Sequence, residues 1–301
     1  MTQSSPLAEV AAEIAALEQD LSLLLPESLN EREQAFTLLA FLGDLLEERA
    51  GPDAAAEAGA LRARISALSS RFEAATARLA DGVRLRLRAG ELRGASLRAM
   101  LDRFTAYRAN APGFLHLNYE PADVLVGALL GLDRPIPEEL PREKGMVHLE
   151  FSPVSVVLEM VDRLALGPGD LFVDLGAGLG QVVLLYHLLT AVPGQGIERQ
   201  PSYCAAAREM AAEFGAPGIG FVAADARQAD YRQGTAFYLF TPFHGAVLQS
   251  VLDRLRATAT HPGIRICTYG PCTLEVARQS WLRSVDLQPP HTSRLSLFAV
   301  R

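Results

Sequence analysis

The densest chemistry in the chain lies between Leu171 and Gln181, in the run Leu-Phe-Val-Asp-Leu-Gly-Ala-Gly-Leu-Gly-Gln. A short apolar stretch ends at Asp174, and Gly176, Gly178 and Gly180 then make a turn into a helix starting near Gln181. Glycine is needed where a chain turns tightly and a ligand touches bare backbone, which also sets Ala177 against that ligand. A dinucleotide loop reads G-x-G-x-x-G, spaced for a pyrophosphate at the helix start. Here the third glycine comes one residue early, Gln181 takes the slot, and an acid precedes the turn. A carboxylate there repels a pyrophosphate and attracts a cation.

Two further acids stand at matching places. Glu198 closes the run Gly-Ile-Glu, with Arg199 beside it, and Asp225 sits in Ala-Ala-Asp-Ala. A carboxylate ending the second strand can accept both hydroxyls of a ribose, as dinucleotide folds do about 20 residues after their glycines. Asp225 can accept from an adenine amine while Ala226 presents its backbone amide to the ring. Each acid alone reads more readily as a solvated loop residue. Three at successive strand ends, where open α/β sheets bind ligands, point to a cationic nucleoside, and S-adenosylmethionine carries the required sulfonium and amino groups.

The stretch Val173-Asp-Leu-Gly-Ala-Gly-Leu-Gly-Gln-Val-Val183 resembles class I S-adenosylmethionine-dependent methyltransferases. More narrowly it resembles the non-SET histone-lysine methyltransferases of the disruptor-of-telomeric-silencing type, whose loop reads V-D-L-G-x-G-x-G-Q-V-V. The resemblance extends over about Phe151 to Cys272 and is absent from the N-terminal half. It implies a seven-stranded Rossmann-like sheet in the order 3-2-1-4-5-7-6. It also implies cofactor roles for Asp174, Gly176, Gln181, Glu198 and Asp225. Phe151-Ser152-Pro153 resembles part of that family's lead-in loop over the methionine end of the cofactor, and Tyr119-Glu120-Pro121 resembles another part, well separated here.

The predicted fourth strand ends Tyr238-Leu-Phe-Thr-Pro-Phe243-His244. The family has N-N-F at this place, and amino-methylating enzymes on nucleic acids have [D/N]-P-P-[Y/F]. An aromatic face holds the target and an oxygen accepts from the attacking amine. Phe243 keeps the aromatic, whereas Thr241 stands where an asparagine is usual and offers one hydroxyl instead of an amide. His244 reads either as a base near neutral pH or as a helix-start residue facing solvent. Cys272, with no base in register, reads as packing, and His148 and Glu150 are placed near the entrance. No cluster has metal-ligand spacing.

These residues need a scaffold. From Leu171 onward, apolar runs alternate with helical stretches: 171–174, 196–198, 220–223, 236–240 and 264–269 as strands, with helices from Gly180, over 202–214 and over 245–255. Such alternation predicts a mostly parallel sheet with helices on its faces. The last two strands, near 282–287 and 295–300, are too close for a helical crossover and should pair antiparallel. The first part reads as all-helical. One helix follows the Ser5-Pro6 start, a second is capped by Asn30 and stops at Gly51, and a third runs from Pro52 to Leu79 with a break at Asp81-Gly82. A fourth covers Ser96 to Asn110, before Ala111-Pro112-Gly113. Pro135, Pro137 and Pro141 mark a linker. The expected division is a helical domain over 1–132, linker and lead-in loop over 133–150, and a methyltransferase domain over 151–301.

Composition narrows the function classes. The 301 residues carry 28 cations and 35 anions, and only one of the cations, Lys144, is lysine. An acidic total argues against gripping nucleic acid with the whole surface. Residues 1–50 hold 2 cations against 10 anions, and residues 51–100 hold 9 against 5. The tract Arg84, Arg86, Arg88, Arg93, Arg98, Arg103 and Arg108 suits an acidic partner or phosphates, or a solvated face balancing the acidic start. Three cysteines without a C-x-x-C pair fit a reducing, cytoplasmic setting. No cation precedes Arg32, so a secretory leader would lack its positive start, and the longest apolar stretch, Val124 to Leu132, is shorter than the about 20 residues that a membrane span needs. The expected function is S-adenosylmethionine-dependent methylation of an amine nitrogen, protein lysine leading. The alternatives are a small-molecule methyltransferase with a helical lid and a non-catalytic cofactor-binding scaffold.

Overall fold

The computed structural model describes residues 6–49, 54–109, 113–259 and 263–301. The proposed cap Ser5, the stop at Gly51, the start at Pro52 and the segment Asn110-Ala111-Pro112 lie outside the described residues. Two compact units divide the chain, Met1–Val83 and Arg84–Arg301. The division falls inside a helix, not at residue 132, because the helices that follow pack within the unit that holds the sheet.

The first unit contains α1 (Pro6–Gln19), two short 3-10 turns, α2 (Leu29–Arg49) and most of α3 (Ala55–Arg88). Leu7, Val10 and Ile14 form the helical stripe of α1 and meet Leu42, Leu46, Ala58 and Leu61. Arg32 is fully buried. Its guanidinium donates to Thr76 Oγ1 at 3.0 Å and to the Leu23 carbonyl at 2.7 Å. Asn30 falls within the first turn of α2 and does not precede it, because the 3-10 turn Pro26–Ser28 already leads the chain into the helix. Asp81-Gly82 does not break α3. Thr76, Ala80, Val83 and Leu87 continue its buried stripe, which outweighs the roughly 1 kcal/mol cost of an interior glycine.

The second unit begins with α4 (Gly94–Leu101), α5 (Pro121–Leu130) and α6 (Val154–Leu164). The expected helix to Asn110 ends early, at Leu101, since the Phe104 carbonyl is used by the amide of Ala122 at the start of α5. The sheet follows, with β1 (Phe172–Leu175), α7 (Gln181–Thr190), β2 (Gly194–Glu198), α8 (Pro201–Glu213), β3 (Ile219–Ala223), β4 (Ala236–Phe240), α9 (Gly245–Thr258), β5 (Arg265–Tyr269), α10 (Cys272–Val276), β6 (Leu282–Ser284) and β7 (Ser296–Val300). Its order is β3-β2-β1-β4-β5-β7-β6, as expected. Strands β1 to β5 pair in parallel, and β7 runs antiparallel between β5 and β6.

Both faces of the central strands are buried, so hydrophobic residues run almost without interruption there. Val173, Leu175, Phe237 and Leu239 pack with Leu248, Val251 and Leu252 of α9. On the other face Phe172 stacks on Tyr186 of α7, with ring centroids 4.4 Å apart. Asp174 and Tyr238 share this second face as register partners. Much of the arginine tract secures helix ends. Arg84 donates to the Leu129 carbonyl at the end of α5, and Arg93 to the Phe214 carbonyl at the end of α8. Arg98 pairs with Asp102 and Asp162. No helix among the described residues is long and apolar enough to cross a membrane.

Candidate active site

The carboxyl ends of β1 to β4 open into one cleft of about 1050 Å³, mouth included, walled by residues between 138 and 251. Of the residues singled out in the sequence, Phe151, Ser152, Asp174, Gly176, Ala177, Gly178, Gln181, Glu198, Arg199, Asp225, Ala226 and Phe243 line it. His148 and Glu150 line it as well. Gly180, Thr241 and His244 lie outside its lining.

The turn from β1 to α7 has left-handed backbone at all three glycines, with φ of +88°, +53° and +79°. A Cβ on Gly176 would stand 2.3 Å from Pro242 Cβ, and one on Gly178 2.4 Å from Leu149 Cδ1. The loop is therefore pressed between the β4 corner and the lead-in segment. A Cβ on Gly180 would meet the Phe221 ring at 2.5 Å, so this glycine serves helix-on-sheet packing. That is why it does not reach the cleft.

The three acids differ in their surroundings. Asp174 is 4% exposed, and burial, with the Glu198 charge second, pushes its carboxyl up to about 8. Glu198 accepts from the Gly178 amide at 2.9 Å and from the Gln200 amide at 2.8 Å, which fastens the glycine loop to the end of β2. Asp225 holds Arg227, whose Nε lies 3.0 Å from both carboxylate oxygens, and this guanidinium keeps the carboxyl below its usual range.

The lead-in segment reaches the same place. Tyr119 donates its hydroxyl to the Phe151 carbonyl at 2.7 Å, so two pieces far apart in sequence meet. Asp123 Oδ1 accepts from the Val154 amide at 2.7 Å and pins α5 to α6. Ser152 Oγ and the Tyr238 hydroxyl share a hydrogen bond of 2.9 Å. Gln181 Nε2 donates to the Ser152 carbonyl at 3.3 Å, whereas its Oε1 is buried without a hydrogen-bond partner.

Residues 137–149, which sequence reading treats as linker, form a strap along the rim. Gln200 Oε1 accepts from the amides of Glu139 and Leu140, and its Nε2 donates to the Leu140 carbonyl. Glu143 bridges Arg199 and Arg227. The strap then crosses to the β4 corner, where Val147 N donates to the Pro242 carbonyl and His244 N to the Gly145 carbonyl. Proline-rich composition predicts the irregular backbone of this segment, but its partners are scattered polar groups with no local sequence signal.

The β4 corner turns its polar groups away. Thr241 adopts φ +41°, donates its hydroxyl to the Tyr269 carbonyl and accepts from the Cys272 amide, each at 3.2 Å. His244 stands exposed at the start of α9. Cys272 is fully buried, and burial raises its thiol pKa.

The donor set fits S-adenosylmethionine. It offers carboxylates for cationic groups and hydroxyls, and bare backbone at Gly176 and Gly178, where an added Cβ would clash. Residues 146–224 match the family model described as "Histone methylation protein DOT1". No curated protein sequence matches the chain. Among solved structures, an RNA methyltransferase from Salinibacter ruber in complex with S-adenosyl-L-homocysteine is similar at 25% identity, covering 50% of this chain and 92% of that one, with a TM-score of 0.41. A precorrin-6y C5,15-methyltransferase from Geobacter metallireducens is similar at 16% identity, covering 51% and 92%, with a TM-score of 0.40. A methyltransferase from Geobacter sulfurreducens in complex with S-adenosyl-L-homocysteine is similar at 25%, covering 42% and 53%, with a TM-score of 0.33. The family match covers the glycine loop and the adjoining strands, and over them, with its sheet order, the chain is similar to class I S-adenosylmethionine-dependent methyltransferases of the DOT1 type.

Proposed function

We propose that the protein methylates an amine nitrogen, with a protein lysine side chain as the leading acceptor. One observation carries this reading: Glu150, Phe151, Phe243 and Tyr238 wall the cleft together, and its lining arginines Arg142 and Arg199 are already paired, to Glu138 and Glu143. Acidic and aromatic walls suit a cationic amine. Phosphate oxygens would find no free cation among those walls.

When bound, S-adenosylmethionine supplies an electrophilic methyl carbon with a neutral thioether as leaving group. Asp174, Glu198 and the backbone of Gly176 to Gly178 hold and orient the nucleoside and methionine parts. Asp225 and Ala226 face the base. Phe151 and Phe243 hold the acceptor and exclude water, which favours the uncharged amine that must attack. Glu150 is the carboxylate placed to receive the proton that the amine gives up. Phe151 and Phe243 would orient the amine toward the bound methyl donor, and such positioning can contribute about 7–11 kcal/mol.

A second reading, a cofactor-binding scaffold without turnover, is favoured by Thr241, whose hydroxyl is engaged by Tyr269 and Cys272. Incubation with methyl-labelled S-adenosylmethionine and a panel of basic peptides, small amines and RNA decides between them. Label on an aliphatic amine nitrogen of a peptide or small amine supports the proposal. Bound cofactor with no labelled acceptor supports the scaffold, and label on RNA or on carbon overturns the amine reading.

A further inference from the structure

A second cavity lies on the α5 side of Phe151. Its walls include Tyr119, Asp123, Gly127 and Asp133, together with Phe151 and Gln181, which also line the cofactor cleft. Two carboxylates face this space, and no lysine or arginine lines it. The small Gly127 leaves it open, since a Cβ there would meet nothing within 4 Å. Gln181 is 4% exposed and its Oε1 has no partner, so an unsatisfied acceptor stands at the partition between the two spaces. Buried acceptors normally find a donor, and none of the protein's own groups supplies one here.

Resting on the amine reading above, we infer that this chamber is the subsite for a second cationic nitrogen of the acceptor, so that the substrate carries a second protonated amine at the end of an aliphatic stem. One nitrogen then faces the cleft beside Phe243. The stem passes Phe151, and the second nitrogen, still protonated, donates to Asp123 and Gln181 with Asp133 at the outer end. Tyr119 supplies an aromatic wall for the cation. Asp123 is the inner anchor, held in place by the Glu120 and Val154 amides, which donate to its Oδ2 and Oδ1 at 2.7 Å and leave each oxygen a further acceptor site.

Calorimetry on the protein saturated with S-adenosyl-L-homocysteine tests this with 1,4-diaminobutane and n-butylamine, and with a peptide bearing two adjacent lysines against one bearing a single lysine. The doubly cationic ligand of a pair should bind at least tenfold more tightly. That preference should vanish in Gly127→Leu, which fills the chamber in a helix-compatible way, and shrink about threefold in the exposed Asp133→Asn. Equal binding of mono- and dications, or a preference untouched in Gly127→Leu, overturns the inference whether or not methyl transfer occurs. If Gly127→Leu weakens S-adenosyl-L-homocysteine but not 5′-methylthioadenosine, the chamber belongs to the methionine tail and the inference fails. Methyl transfer without the dication preference would leave the amine reading standing alone.

Discussion

Two turns leave the carboxyl edge of the same sheet and treat their polar groups in opposite ways. At the end of β1, Asp174 and Gln181 point into the cleft and the glycines hold bare backbone open to it. At the end of β4, Phe240, Pro242 and Phe243 line the cleft, while Thr241 and His244 lie outside its lining. The first turn is built for ligand contact, the second for shape. Cofactor binding should therefore be sensitive to single side chains at one corner and indifferent to them at the other.

The largest expected effect is at the first corner. Asp174→Ala should weaken S-adenosylmethionine about a hundredfold by calorimetry, the scale of a lost hydrogen bond to a charged group. Retention of full affinity there and in Glu198→Ala would dissolve the contrast between the turns. Next comes backbone shape. Gly176→Ala puts a Cβ against Pro242 at φ +88° and should cost about 1–3 kcal/mol of stability, read as a lower Tm in the ligand-free protein.

The same aspartate predicts a pH dependence. Its folded value of about 8 lies above the ordinary 3.8, so its contribution to stability is intact below pH 3.8 and is lost as pH rises toward 8. Ligand-free wild type should lose thermal stability between pH 6 and 8 more steeply than Asp174→Asn. A bound cation favours the carboxylate, so affinity for S-adenosylmethionine should rise with pH up to about 8. A slope near tenfold per unit would mean one proton released, and a flat profile would remove Asp174 from contact with the cation.

The smallest effects belong to the second corner. Thr241→Ala should lower stability by about 1 kcal/mol through its lost hydrogen bonds and leave cofactor affinity within twofold. His244→Ala should change that affinity even less. A tenfold loss in either would place a polar role back at β4.

Legibility in the sequence followed the same division. Strand positions, the antiparallel last pair and the three acids are written in short local patterns: an apolar run, a turn, a carboxylate. The strand order is legible only through the resemblance of the glycine loop to methyltransferases. The helix α6 has polar Ser155, Glu159, Asp162 and Arg163 at helical spacing, a signal that reading Phe151-Ser152-Pro153 as a lead-in loop passes over. The apolar run from Val124 to Leu132 covers most of α5 and lacks a polar stripe. Gly82 looked like a stop because its neighbours in sequence suggest a turn, yet the stripe through Ala80, Val83 and Leu87 carries the helix past it. Thr241 shows the limit for site residues. Its type permits a role at the acceptor, but its left-handed backbone and its hold on Tyr269 and Cys272 depend on neighbours 28 and 31 positions away.

The strap carries one more consequence. Lys144, the sole lysine in the sequence, sits exposed on it, directly after the glutamate that bridges Arg199 and Arg227. An amine-reactive fluorophore would thus mark one side chain, at the rim of the cleft, and its emission would report whether the surroundings of that rim change when S-adenosyl-L-homocysteine is added.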